Sequence, residues 1–167
     1  MIPNALAGPG TFNTTAVSGS QPYYIGDWSG FSGTMNGGFI QIGSSNNTGS
    51  TQMKMNLTGY LSLYQYQNEN NFTRTFHIGE LSGSGPVQGA APGNSFTVTV
   101  SVGALATDST YSGILQDDWQ DNHTGKLALN KVGNGTLTCT GNSRHTGSTT
   151  VSSGTLRING SLGAAVW

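Results

Sequence analysis

Two stretches of this chain, GTLTCTG at residues 135–141 and GTLRING at 154–160, align without a gap. Each reads Gly-Thr-Leu, any residue, an apolar residue, any residue, Gly. A strand unit that returns after about 20 residues is the mark of a solenoid, in which each turn covers the apolar face of the next. A sandwich would need hairpins and Greek-key returns instead. Stacked turns would pair like strands in parallel and close the backbone hydrogen bonds between them.

The rest of the chain supports strands throughout. In SFTVTVSVG, Phe96, Val98, Val100 and Val102 alternate with Thr97, Thr99 and Ser101. The same period of two appears at Ile40 and Ile42, at Met53, Met55 and Leu57, at Leu61 and Leu63, and at Leu127 and Leu129. Phe72, Phe76 and Ile78 are also in phase, with Arg74 awkwardly among them. Period two puts one set inside and the other outside. No window shows helical spacing, and β-branched residues and Gly are poor helix formers. The 26 glycines punctuate these runs as turns. The expected fold is all-β, a right-handed parallel β-helix, formed by a single domain over residues 1–167.

Charge matters for what it excludes. Six Lys plus Arg and seven Asp plus Glu make up 8% of the chain, with a net charge of -1. Ordinary domains carry roughly 25%. No basic field exists to collect nucleic acid or anionic lipid, so neither partner is expected. A neutral polymer fits this surface best. Cys139 is the one cysteine, which excludes an intrachain disulfide and multi-Cys zinc sites. No stretch reaches the ~20 apolar residues of a membrane span. The opening MIPNALAGPG lacks the charged and apolar regions of a signal peptide. The chain is therefore expected to be a piece excised from a larger exported protein.

The segment KLALNKVGNGTLTCTGNSRHTGSTTVSSGTLRINGSLG, residues 126–163, resembles the autotransporter-associated β-strand repeat. The shared pattern includes Leu129, Lys131, Gly133, Gly135, Thr136, Leu137, Gly141, Asn142, Thr149, Thr150, Val151, Gly154, Thr155, Leu156 and Gly160. It departs at Cys139, where an aliphatic residue is usual. The resemblance implies a parallel β-helix on an exported bacterial protein, secreted or held at the cell surface. A β-helical carbohydrate-binding module appended to xylan-degrading glycoside hydrolases is also similar in size and aromatic content. That likeness implies a polysaccharide partner and a covalently linked glycoside hydrolase domain.

Two clusters are candidate sugar sites. If Leu61 and Leu63 face inward, Tyr60, Tyr64 and Tyr66 stand outside in a row. Flat rings stack on pyranose faces, and Gln65 beside them can bond hydroxyls. The plainer alternative is aromatic packing between turns. In LQDDWQDNH, Trp119 sits among Asp117, Asp118 and Asp121. Carboxylates accept bonds from hydroxyl pairs beside such a ring. The same loop can be read as a calcium site, although its Asp residues lack EF-hand spacing, so no cofactor is expected. YYIGDWSGFSG at 23–33 reads instead as aromatics and tight turns covering the first turns of the coil.

Catalysis is not expected. A hydrolase needs paired carboxylates, conceivable here only within residues 117–121, and the three histidines form no ligand motif. The leading expectation is a non-catalytic module that binds a plant cell-wall polysaccharide, xylan first. The alternative is a structural or adhesive passenger segment of a bacterial surface protein.

Overall fold

A computed structural model describes residues 5–15, 23–24, 26–43, 47–63, 73–89, 96–117 and 125–163. Every regular element among them is a strand. The first are β1 (Thr11–Thr14), β2 (Tyr23–Tyr24), β3 (Thr34–Gly37), β4 (Ile40–Ile42) and β5 (Gly49–Leu57). Next come β6 (Leu61–Ser62), β7 (Thr73–Gly83), β8 (Val87–Gln88), β9 (Thr97–Val102) and β10 (Ser109–Tyr111). The last are β11 (Leu115–Gln116), β12 (Lys126–Lys131), β13 (Thr136–Cys139), β14 (Thr149–Val151) and β15 (Thr155–Ile158).

All pairings among the described residues are parallel, and they sort the strands onto three sides of a coil. The first side stacks β1, β3, β5, β7, β10, β13 and β15. The second stacks β2, β4, β6, β8 and β11. The third is built from β9, β12 and β14 together with the early halves of β5 and β7. Strands β5 and β7 turn the corner between the third side and the first, and their register shifts between Ser50 and Lys54. The chain is a parallel β-helix, as its alternation predicts.

The bore is filled by the residues in phase. Val98, Val100 and Val102 are fully buried beside Leu127, Leu129 and Lys131. Each buried aliphatic side chain contributes about 2 kcal/mol. Trp28 and Phe31 lie in the core near the N-terminal end, where the sequence places covering aromatics. The ring of Trp28 meets Phe76 edge-on at 6.4 Å. Tyr111 is buried too; its hydroxyl donates to the Gly85 carbonyl at 2.7 Å. Cys139 takes the aliphatic place in the bore, and burial pushes its thiol up to about 11. Arg74, the charge that breaks the apolar phase, is buried and donates to the Leu63 carbonyl.

Glycine columns let the turns stack. At the corner after the first side, Gly38, Gly59, Gly85, Gly113, Gly141 and Gly160 lie one above another. A Cβ on Gly85 would stand 1.9 Å from the Gly59 carbonyl oxygen, and one on Gly160 would stand 2.2 Å from that of Gly141. At the corner before the first side, Gly103, Gly133 and Gly154 adopt φ of 106°, 69° and 69°. This left-handed region is one that only glycine enters without cost.

Candidate functional site

Polar side chains that point away from the bore form rows along the axis. On the first side Asn36 donates to Asn13 at 2.9 Å, and Asn56 donates to Asn36 at 3.4 Å. Farther along the same side, Asp108, Ser109, Thr110, Thr136, Thr138 and Arg157 line a shallow cavity of about 270 Å³. Asp108 is engaged there, accepting the Thr136 amide at 2.7 Å. On the second side Gln88 donates to Ser62 at 3.3 Å, and Gln116 donates to Gln88 at 3.2 Å. Arg144 then donates to Gln116 Oε1 at 2.9 Å. Ser62, Gln88 and Gln116 are all buried. Such ladders fix register, because a slip of one residue would break every rung.

The expected sugar ligands divide between described and undescribed residues. Tyr64, Gln65, Tyr66, Asp118, Trp119 and Asp121 lie outside the described residues. Tyr60 is half-buried, and its ring tilts against Phe39 at 5.3 Å, the packing alternative named for it above. The Asp117 carboxylate accepts bonds from Leu127 and Thr146. Its Oδ1 accepts the Leu127 amide at 2.7 Å and the Thr146 amide at 3.0 Å. Its Oδ2 accepts the Thr146 hydroxyl at 2.7 Å. The carboxylate ties the start of one turn's third side to the equivalent stretch of the next turn.

Two buried polar residues were not singled out from sequence. Lys131 occupies an inward place and is 1% exposed. Its ammonium donates to the carbonyls of Val132 at 2.7 Å, Gly133 at 2.8 Å and Ser153 at 3.3 Å. The carbonyls of two successive turns thus converge on one cation. Loss of solvent lowers the Lys131 pKa from its ordinary value, while Asp108 pulls it the other way. The signal available in sequence was its phase with Leu127 and Leu129.

His145 is fully buried, with Nε2 2.8 Å from Thr149 Oγ1 and Nδ1 unpartnered among the described residues. Burial holds its pKa below the ordinary 6.5, against the pull of the Asp117 carboxylate and the Leu115 backbone. The native state therefore binds this proton less well than the unfolded chain. The stability it confers is present above pH 6.5 and is lost as pH falls through the folded value. Urea midpoints should accordingly fall on acidification from neutral pH, and His145→Gln should flatten that slope. An unchanged slope in the variant would show that other groups set it.

Among the described residues, the arrangement offers stacked polar rows whose side chains bond one another from turn to turn. Residues 129–158 match the family described as Passenger-associated-transport-repeat. The chain carries an autotransporter-associated β-helix repeat, as the resemblance implies. The matched stretch covers β13, β14, β15 and the second half of β12, including the Lys131 cage and His145. No curated protein and no solved structure matches the chain.

Proposed function

We propose that this chain is a structural passenger segment of an exported bacterial surface protein, with the coil serving as a stalk. The single observation that carries this reading is the passenger repeat at residues 129–158, built into the last turns of a continuous parallel β-helix. The physics suits the role. A solenoid gains length turn by turn, and each added turn buries the apolar face of the one before it. Neutral Ser, Thr, Asn and Gln on the outside solvate the stalk without a long-range field.

This reading is favoured over polysaccharide binding by what the two described sugar candidates do. Tyr60 packs on Phe39, and Asp117 holds backbone amides. Both are therefore occupied by the coil itself.

The test is display. Fused between an export signal and a translocating outer-membrane barrel, the chain should appear on intact bacteria as a protease-resistant, surface-accessible segment. Retention inside the cell, or delivery as a protease-sensitive chain, would overturn the stalk reading. Native gels containing soluble xylan supply the contrast: a stalk migrates unretarded, and a carbohydrate-binding module is slowed.

A further inference from the structure

Asparagine is followed by glycine at Asn36-Gly37, Asn134-Gly135 and Asn159-Gly160. Glycine has no Cβ to shield its amide nitrogen, so such a pair can react with itself. The nitrogen attacks the asparagine Cγ, a new C–N bond forms, and a five-membered imide closes. The carboxamide nitrogen departs as ammonia, carrying the proton given up by the glycine amide. Water then opens the ring at either carbonyl. The product is aspartate, or isoaspartate with one extra methylene in the backbone. Two conditions gate this reaction in a folded chain. The carboxamide must be free to turn, and the glycine amide must not be donating, because breaking either bond adds to the barrier.

The fold meets both conditions at one pair and denies them at the other two. Asn36 lies in β3, which is paired on both edges. Its carboxamide donates to Asn13 at 2.9 Å and accepts from Asn56 at 3.4 Å. At the last pair, the Gly160 amide donates to the Cys139 carbonyl at 3.3 Å. Asn134 differs. It is exposed, and its side chain makes no hydrogen bond among the described residues. Gly135 is buried, and its amide has no acceptor among the described residues. A buried amide without a partner is rare in folded proteins. This one belongs to the residue that supplies the nucleophile.

We propose that Asn134-Gly135 is a self-modification site, at which the folded chain deamidates through the imide and thereby loosens the turn stacked on it. The stretch from Gly133 to Gly135 is the floor of the next turn. A Cβ on Gly154 would stand 2.4 Å from the Gly133 carbonyl oxygen and 2.5 Å from that of Gly135. The Thr155 amide donates to the Gly135 carbonyl at 3.2 Å. The Lys131 ammonium joins the Gly133 carbonyl to that of Ser153. An isoaspartate at position 134 pushes the Gly135 carbonyl along the chain by one methylene. The Thr155 amide then loses its acceptor, at the first rung between β13 and β15. Nearest-neighbour contacts hold a solenoid together, so the damage falls on the turn above. The inference rests on these two turns and is independent of the stalk reading.

Ageing the folded chain in mildly alkaline buffer, followed by tryptic peptide mapping, tests it. Cleavage after Lys54, Lys131, Arg144 and Arg157 places Asn36, Asn134 and Asn159 in different peptides. Asn134 should convert about tenfold faster than either of the others, the rate equivalent of about 1.4 kcal/mol. Aspartate and isoaspartate should both form there. In denaturing urea the three rates should converge, because the fold is what separates them. The aged wild type should melt below the fresh protein, and Asn134→Gln should keep its melting temperature through the same treatment. Equal rates in the folded chain, or faster conversion at Asn36 or Asn159, would overturn the site. An unchanged melting temperature in a chain converted at Asn134 would overturn its effect on the turn above.

Discussion

Gly141→Ala is expected to lower the free energy of unfolding by about 3–4 kcal/mol. A Cβ at this position would stand 2.1 Å from the Gly113 carbonyl oxygen and 2.8 Å from that of Ser112. The obstacle is backbone, so no side chain can swing aside. Two turns must separate, and separation breaks hydrogen bonds on either flank, including Thr140 to Tyr111 and Asn159 to Cys139. At this chain length the loss corresponds to a fall in melting temperature of roughly 10 °C. Amides of β13 and β15 should also exchange faster, because nearest-neighbour contacts dominate a solenoid. Gly10→Ala is the control. Nothing lies within 4 Å of its added Cβ, and its backbone is not left-handed. It should be neutral, or stabilising by about 0.5 kcal/mol through the unfolded chain. Equal melting temperatures for the two variants would show that the glycine column does not set how closely the turns approach.

That column also explains which part of the fold was readable in advance. The gapless alignment of GTLTCTG with GTLRING is the register of β13 on β15: Thr136 with Thr155, Leu137 with Leu156, Cys139 with Ile158. It was legible because no loop intervenes to change the length of that turn. Earlier turns differ: Thr34 pairs with Lys54, Lys54 with Glu80 and Ser109 with Leu137, so the spacing grows and shrinks. Loops of unequal length hide the recurrence while leaving the strands in place, which is why alternation survived and repetition did not. The side chains of the candidate site were harder to read. Lys131 stands in phase with Leu127 and Leu129, but a charge at an inward position makes sense only once the carbonyls of Val132, Gly133 and Ser153 are seen around it. Those carbonyls converge because the turn through Gly133 is left-handed. Arg74 posed the same puzzle and has the same kind of answer in the Leu63 carbonyl.

Asp117→Ala is the second large effect, an expected loss of about 2–4 kcal/mol. The substitution strips an acceptor from the Leu127 amide, the Thr146 amide and the Thr146 hydroxyl together. Sequence could not distinguish this role from sugar binding, since a carboxylate beside an aromatic residue looks the same whether its donors are hydroxyls or distant amides. The donors here come from residues 10 and 29 positions away, joined only by the coil. Asp117→Asn should cost less, about 1 kcal/mol, because the retained oxygen still serves both amides and the new amide can donate to Thr146 Oγ1. Chemical denaturation therefore ranks the wild type above Asn and Asn above Ala. A sugar ligand predicts the opposite division: unfolding unchanged in Asp117→Ala, and retardation in a xylan gel reduced. The graded loss of stability would fix Asp117 as the brace between two turns, and a flat stability series would return it to the surface as a free carboxylate.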